Sequence, residues 1–201
     1  MLRLHHFFCL LLVWYPACTV SLLTPTDRFS IFEQLSLHQS YIDHSLTCDN
    51  AKLYASLYWP EGSFRVIDPN RDATMTGERE IRSNYDYAHS VFPLSRWRHS
   101  VGAFEISDGP LPNYPSPLSN TSAGGNERAY VHWNWRVDWR ANTTGVVSTG
   151  TYDDVFEKRN GEWKVLAKVS RDDDNWPLYL FEPYVVSQAA TYQSSCGDTS
   201  L

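Results

Sequence analysis

Two runs near the C-terminal end of the chain set groups capable of proton transfer among apolar neighbours. Asn160-Gly161 lies between alternating segments and specifies a two-residue hairpin, which fixes the register of its strands. One face then pairs Glu157 with Lys164, Val155 with Leu166 and Asp153 with Lys168, opposite charges facing each other as on a wet surface. The other face pairs Lys158 with Trp163, Phe156 with Val165, Asp154 with Ala167 and Tyr152 with Val169. An unpaired buried carboxylate is costly, so Asp154 either lies near a sheet edge in water or sits in a cavity beside a partner, where it could move a proton. The preceding run alternates Val131, Trp133, Trp135, Val137 and Trp139 with His132, Asn134, Arg136 and Asp138. Either the tryptophans are core and the polar set faces water, or the polar set lines a cavity and the tryptophans fill an interface. Periodicity alone does not choose.

Other chemistries lack their required groups. There is no Gly-x-Ser-x-Gly elbow, no His-Glu-x-x-His, no Cys-x-x-Cys and no glycine-rich phosphate loop, which excludes the usual serine hydrolase, zinc and nucleotide-dependent readings. Asp172-Asp173-Asp174 reads as a solvated charge run, so no metal and no cofactor is expected.

The elements that must position these groups are helices first and strands afterwards. Apolar residues recur at Phe29, Phe32, Leu35, Tyr41 and Ile42, predicting a helix from Asp27 to about Leu46 with Asp27 as its N-cap. Asp49 caps a second, short helix carrying Leu53 and Leu57, which Pro60 and Gly62 end. Phe64-Arg65-Val66 reads as a short strand, and Ile81, Tyr85, Ala88 and Phe92 mark a third helix. Beyond Pro93, the stretches 96–106, 129–139, 146–157 and 163–170 are rich in Val, Trp, Tyr and Thr and read as strands. The Pro, Gly, Ser and Asn stretch 107–126 is a long loop.

With 201 residues, 42% hydrophobic, 20% charged and 14% aromatic, the chain suits one compact domain. A formal charge of −6 with no basic run argues against nucleic acid and acidic lipid as partners. Arg3 followed by the apolar run Phe7 to Trp14 and then Pro16, Ala17, Cys18 and Ser21 reads as a secretory signal peptide over 1–21. That run is too short to span a bilayer, so no membrane contact is expected after cleavage, and the expected location is the secretory pathway or outside the cell. Cys48 and Cys196 remain in the mature chain, either as a disulfide or as two unrelated thiols. Asn120 and Asn142 head glycosylation sequons in loop-like stretches.

The order of elements, with Tyr41-Ile-Asp-His, Asp49-Asn-Ala-Lys-Leu, Thr76-Gly77, Trp97-Arg98-His99-Ser100-Val101-Gly102 and Gly161-Glu162-Trp163-Lys164-Val165, resembles the nuclear-transport-factor-two-like (NTF2-like) superfamily and, within it, the SnoaL-like and scytalone dehydratase branch. The resemblance covers about Phe29 to Glu182. It implies an α+β fold, a cone-shaped curved antiparallel sheet wrapped by N-terminal helices around an apolar cavity, over residues 22–185, with a polar tail at 186–201. It also implies that His99 is a general acid/base at the floor of the cone. The second histidine of that branch falls on Asp138 and its cavity asparagine on Tyr152. Its usual acidic partner aligns with Leu46, and Asp43, three residues earlier, reaches a similar region. The implied pocket is lined by Tyr41 and Tyr152, by Asn134 and Arg136 if that strand face looks inward, and by Phe181 of an aromatic segment that closes the cone as a lid.

Three functions follow from this reading. The first is a cofactor-free tailoring enzyme of polyketide or terpenoid metabolism, a dehydratase, isomerase or cyclase acting on a hydrophobic small molecule through His99 with Asp43, Asp138 or Asp154. The second is a pericyclase that works by folding a reactive substrate. The third is a non-catalytic secreted small-molecule binding protein. Relatives of this kind associate through the outer face of the sheet, and Trp133, Trp135 and Trp139 would form that homo-oligomer surface if they faced out.

Overall fold

The computed structural model describes residues 23–43, 48–69, 71–91, 97–114, 116–117, 126–139 and 145–173. The signal-peptide stretch, both sequons, Cys196, Phe181 and the tail lie outside these residues, as does the side chain of Cys48.

Helix α1 spans Pro25–Asp43. Its N-cap is Thr24, not Asp27 as the sequence predicts. Thr24 Oγ1 accepts the Asp27 N–H at 3.1 Å while an Asp27 carboxylate oxygen takes the Thr24 N–H at 3.0 Å, a reciprocal capping box with Pro25 at the first helical position. The other Asp27 oxygen accepts Lys158 Nζ at 2.8 Å and the Trp163 indole at 2.9 Å, which ties the start of α1 to a distant hairpin. Ile31, Leu35 and His38 face inward, whereas Phe29 and Phe32 are 62% and 43% exposed. This helix carries apolar residues on both sides, so spacing alone mixes the exposed Phe29 and Phe32 with Leu35, which is buried, and with Tyr41 and Ile42, which pack against the core.

Helix α2 is Cys48–Ser56 and strand β1 is Tyr58–Asp68. The helix ends before Pro60 and Gly62, which lie inside the strand at a register irregularity between Tyr58 and Ser63. Strand β2, Arg71–Thr76, was not anticipated from the sequence. Helix α3, Gly77–Val91, starts at a glycine with φ +79° and packs Ile81 and Tyr85 inward. Strands β3 (Trp97–Ser107), β4 (Arg128–Trp139), β5 (Gly145–Arg159) and β6 (Glu162–Asp172) form the expected antiparallel meander. The six-stranded sheet runs β2-β1-β6-β5-β4-β3, with β1 joining β6 in parallel, so the sheet is mixed. It is curved and unclosed, and α1, α2 and α3 pack with it around one core. Among the described residues no helix is long and apolar enough to cross a membrane.

At the hairpin Asn160 and Gly161 take φ 51° and 85°, the left-handed pair that a type I′ turn needs. The expected register holds from Arg159–Glu162 to Phe156–Val165 and then slips at Leu166, so that Val155 faces Ala167 and Asp154 faces Lys168. The pairings of Asp153 with Lys168, Asp154 with Ala167 and Tyr152 with Val169 are thereby corrected. In the actual register Lys168 stands opposite Asp154, the residue that burial would otherwise leave as a lone anion.

Cross-strand partners settle which way β4 faces. Val131, Trp133, Trp135 and Val137 stand opposite Asp154, Tyr152, Gly150 and Ser148, and this row is buried on the inner face. The alternate set, His132, Asn134, Arg136 and Asp138, is on the outer face. Trp135 can cross β5 because position 150 is glycine. A Cβ there would lie 2.5 Å from the Trp135 ring and 2.3 Å from the Arg171 carbonyl.

Candidate active site

His99 pairs with Val137 across β3 and β4 and therefore shares the inner face with the tryptophans. Asp43 ends α1, and the fold brings its carboxylate onto this strand. His99 Nδ1 donates to Asp43 Oδ1 at 2.6 Å, and the His99 backbone N–H bridges both carboxylate oxygens at 3.1 and 3.0 Å. The side chains are 6% and 17% exposed. A carboxylate only accepts, so the Asp43 contact fixes the tautomer: the proton sits on Nδ1 and Nε2 is left for proton transfer.

A second polar group lies on the same face. Lys168 Nζ donates to Asp154 Oδ2 at 2.7 Å, with side-chain exposures of 1% and 0%. The Trp133 indole donates to the same oxygen at 2.8 Å. The ammonium lies 4.6 Å from the Trp133 ring and 4.3 Å from Tyr152. Burial raises the Asp154 pKa and lowers that of Lys168, while each opposes the shift of the other.

His38 of α1 completes the inner set. Its Nε2 meets Tyr54 Oη at 3.0 Å, and Tyr54 Oη lies 3.4 Å from Tyr58 Oη. Burial first, then the charges of Lys168 and His99, hold the His38 imidazole well below its ordinary pKa. Burial likewise raises Tyr58 and Tyr152 well above the phenol value, so both remain hydroxyl groups. Tyr41 adjoins the set, its carbonyl accepting a hydrogen bond from the Tyr85 hydroxyl.

Similarity to solved structures follows this architecture. A cystatin-like-fold protein of unknown function from Nostoc punctiforme PCC 73102 is 18% identical, with a TM-score of 0.58, over 78% of this chain and 98% of that one. An NTF2-like protein with a cystatin-like fold from Novosphingobium aromaticivorans is 16% identical, with a TM-score of 0.56, over 78% and 90%. The fold is the NTF2-like cone. A candidate scytalone dehydratase from the same Novosphingobium species has the fold as well, at 17% identity and a TM-score of 0.50 over 74% and 85%. No protein-family model and no curated protein sequence matches the chain.

Within the NTF2-like cone the residues singled out from the sequence separate into two groups. His99 and Asp43 meet, and Asp154 and Tyr152 share their inner face. Asp138, Asn134 and Arg136 lie on the other side of β4, where Arg136 binds Asp138 at 2.7 and 2.9 Å. Asn134 and Arg136 are exposed there, so they do not line the interior. Trp133 and Trp135 are interior as well, which removes them as an oligomer surface.

Sequence reasoning missed His38, Lys168 and Tyr54. The spacing Ile31, Leu35, His38, Ile42 carried a signal for the first, and the slip at Leu166 hid the second. A second histidine–carboxylate pair, His132 Nδ1 to Asp153 Oδ1 at 2.7 Å, was also missed. It lies on the outer face, where Arg171 bonds Asp153 and the Tyr114 ring stacks on His132 at 3.5 Å.

Proposed function

We propose that this chain is a cofactor-free enzyme that moves protons on a hydrophobic small molecule, a dehydratase, isomerase or cyclase of the natural-product tailoring type, reached through the secretory pathway. The observation that carries this reading is the His99–Asp43 pair on the inner face, with Nδ1 held and Nε2 available. His99 Nε2 takes a proton from the bound substrate and returns it at a second position or to a leaving hydroxyl. Asp43 orients the ring and stabilises the imidazolium formed in between. The aromatic walls, Trp133, Tyr152 and Tyr54, supply the apolar surface that binds the substrate and keeps water from the transferred proton. A candidate scytalone dehydratase among the similar structures supports the reaction class.

The test is turnover of aromatic polyketide and terpenoid substrates by His99→Ala and Asp43→Asn. His99→Ala is expected to lose at least about 10²-fold in kcat, the usual contribution of positioned proton transfer. Unchanged kcat in His99→Ala would overturn acid–base catalysis and leave cyclisation by folding of the substrate within the ring cage.

A further inference from the structure

Among the described residues, three of the buried polar atoms that lack a hydrogen-bond partner border one cluster of rings inside the cone. Trp133 and Tyr152 form its centre with centroids 4.4 Å apart, and Trp135 and His38 lie 5.7 and 5.6 Å from Tyr152. His38 Nδ1, Trp135 Nε1 and Asp154 Oδ1 are buried and, among the described residues, accept or donate no hydrogen bond. Asp154 belongs to the same cluster, because its other oxygen holds the Trp133 indole and Lys168. Buried polar atoms left unmade cost free energy that packed interiors normally avoid. A buried ion pair can often be replaced by apolar residues of similar volume with no loss of stability. The cluster is therefore a poor device for holding the fold and a good one for holding an oxygen.

We propose that Lys168, Asp154 and His38 form a second pole of the site that anchors an oxygen substituent of the ring compound on which His99 acts. This deepens the acid–base reading and rests on it. Asp154 Oδ1 accepts the proton of a substrate hydroxyl, the Trp135 N–H and the Lys168 ammonium donate to oxygen beside it, and His38 Nδ1 donates or accepts according to its tautomer. His38 sets its ring edge-on to Trp133 and Tyr152, the two aromatic rings that the Lys168 ammonium lies over. The ligand class selected is a flat hydroxylated or enolic ring. An oxygen-free hydrocarbon would bury the same atoms unmatched.

The test uses two probes of equal shape, 2-naphthol and 2-methylnaphthalene, titrated into the full chain and followed by protein NMR. The wild-type protein is expected to bind 2-naphthol at least tenfold more tightly. A double variant, Asp154→Leu with Lys168→Met, is expected to melt at or above the wild-type temperature and to bind the two probes within about twofold. Asp154→Asn keeps the shape of the site and is expected to lose at least threefold of the preference, because a neutral amide accepts more weakly than a carboxylate. Equal or absent binding of both probes by the wild type overturns the proposal, as does a preference that survives in the double variant. If the double variant does not fold, an undiminished preference in Asp154→Asn overturns it too. His99→Ala with full turnover but an intact 2-naphthol preference would sink the acid–base reading and leave the anchor standing.

Discussion

His38 shows how burial sets the chemistry of one side chain. Its folded pKa is depressed by desolvation and by the charges of Lys168 and His99, so the unfolded chain takes up a proton first as the pH falls. The stability this residue permits is complete above its ordinary value of 6.5 and is lost below it. Relative to His38→Phe, the wild-type protein should lose about 1.4 kcal/mol per pH unit below 6.5, read from urea unfolding at stepped pH. No such divergence would mean that His38 is hydrated. Asp154 and Lys168 obey the same physics as a couple. Asp154→Leu alone strands a buried ammonium and should cost about 3–5 kcal/mol, while adding Lys168→Met should restore all of it. Equal losses in the single and double variants would show that the pair does not act as a unit. Neither residue could be paired from spacing, because a one-residue slip decides which lysine meets which aspartate.

At the scale of elements, the hairpin is the part most legible in the chain. Asn160-Gly161 admits few other conformations, and the predicted pairing is kept for the four pairs nearest the turn. The bulge at Leu166 has no local signature, since it answers to the parallel strand β1, whose own irregularity lies between Tyr58 and Ser63. Pro60 and Gly62 illustrate the same limit. They read as helix breakers, and they lie inside a strand where its pairing with β6 is irregular. Helix α1 lies within a few residues of its predicted span, yet the predicted stripe mixes the buried Leu35 with the exposed Phe29 and Phe32, and the cap is Thr24 instead of Asp27. Gly150 is an element-level requirement of a different sort, set by the Trp135 ring and the Arg171 carbonyl. Gly150→Ala should therefore cost about 1–3 kcal/mol by thermal or urea unfolding, and a neutral result would mean that the two strands shift apart freely.

The whole molecule decides which face of β4 is inside. Trp133 is 0% exposed and packs on Tyr152 and His38, so Trp133→Ala should cost about 3–5 kcal/mol in the isolated protein. A loss seen only when subunits dissociate would return the tryptophan row to an interface. The chain by itself determined the α+β class, the strand meander, the type I′ turn and the short list that contained His99, Asp43, Asp154 and Tyr152. The class, the meander, the turn and the candidacy of Asp154 and Tyr152 follow from local rules, namely periodicity, turn conformation and the cost of burying a charge, whereas His99 and Asp43 joined the list through the resemblance of their motifs to the NTF2-like superfamily. The tertiary structure alone decided that Asp43 reaches His99, that Asp138, Asn134 and Arg136 face outward, and that Lys168 and His38 stand inside. Alternation along a strand distinguishes two faces and cannot say which one the helices cover, and a contact across 56 residues depends on how the sheet curves.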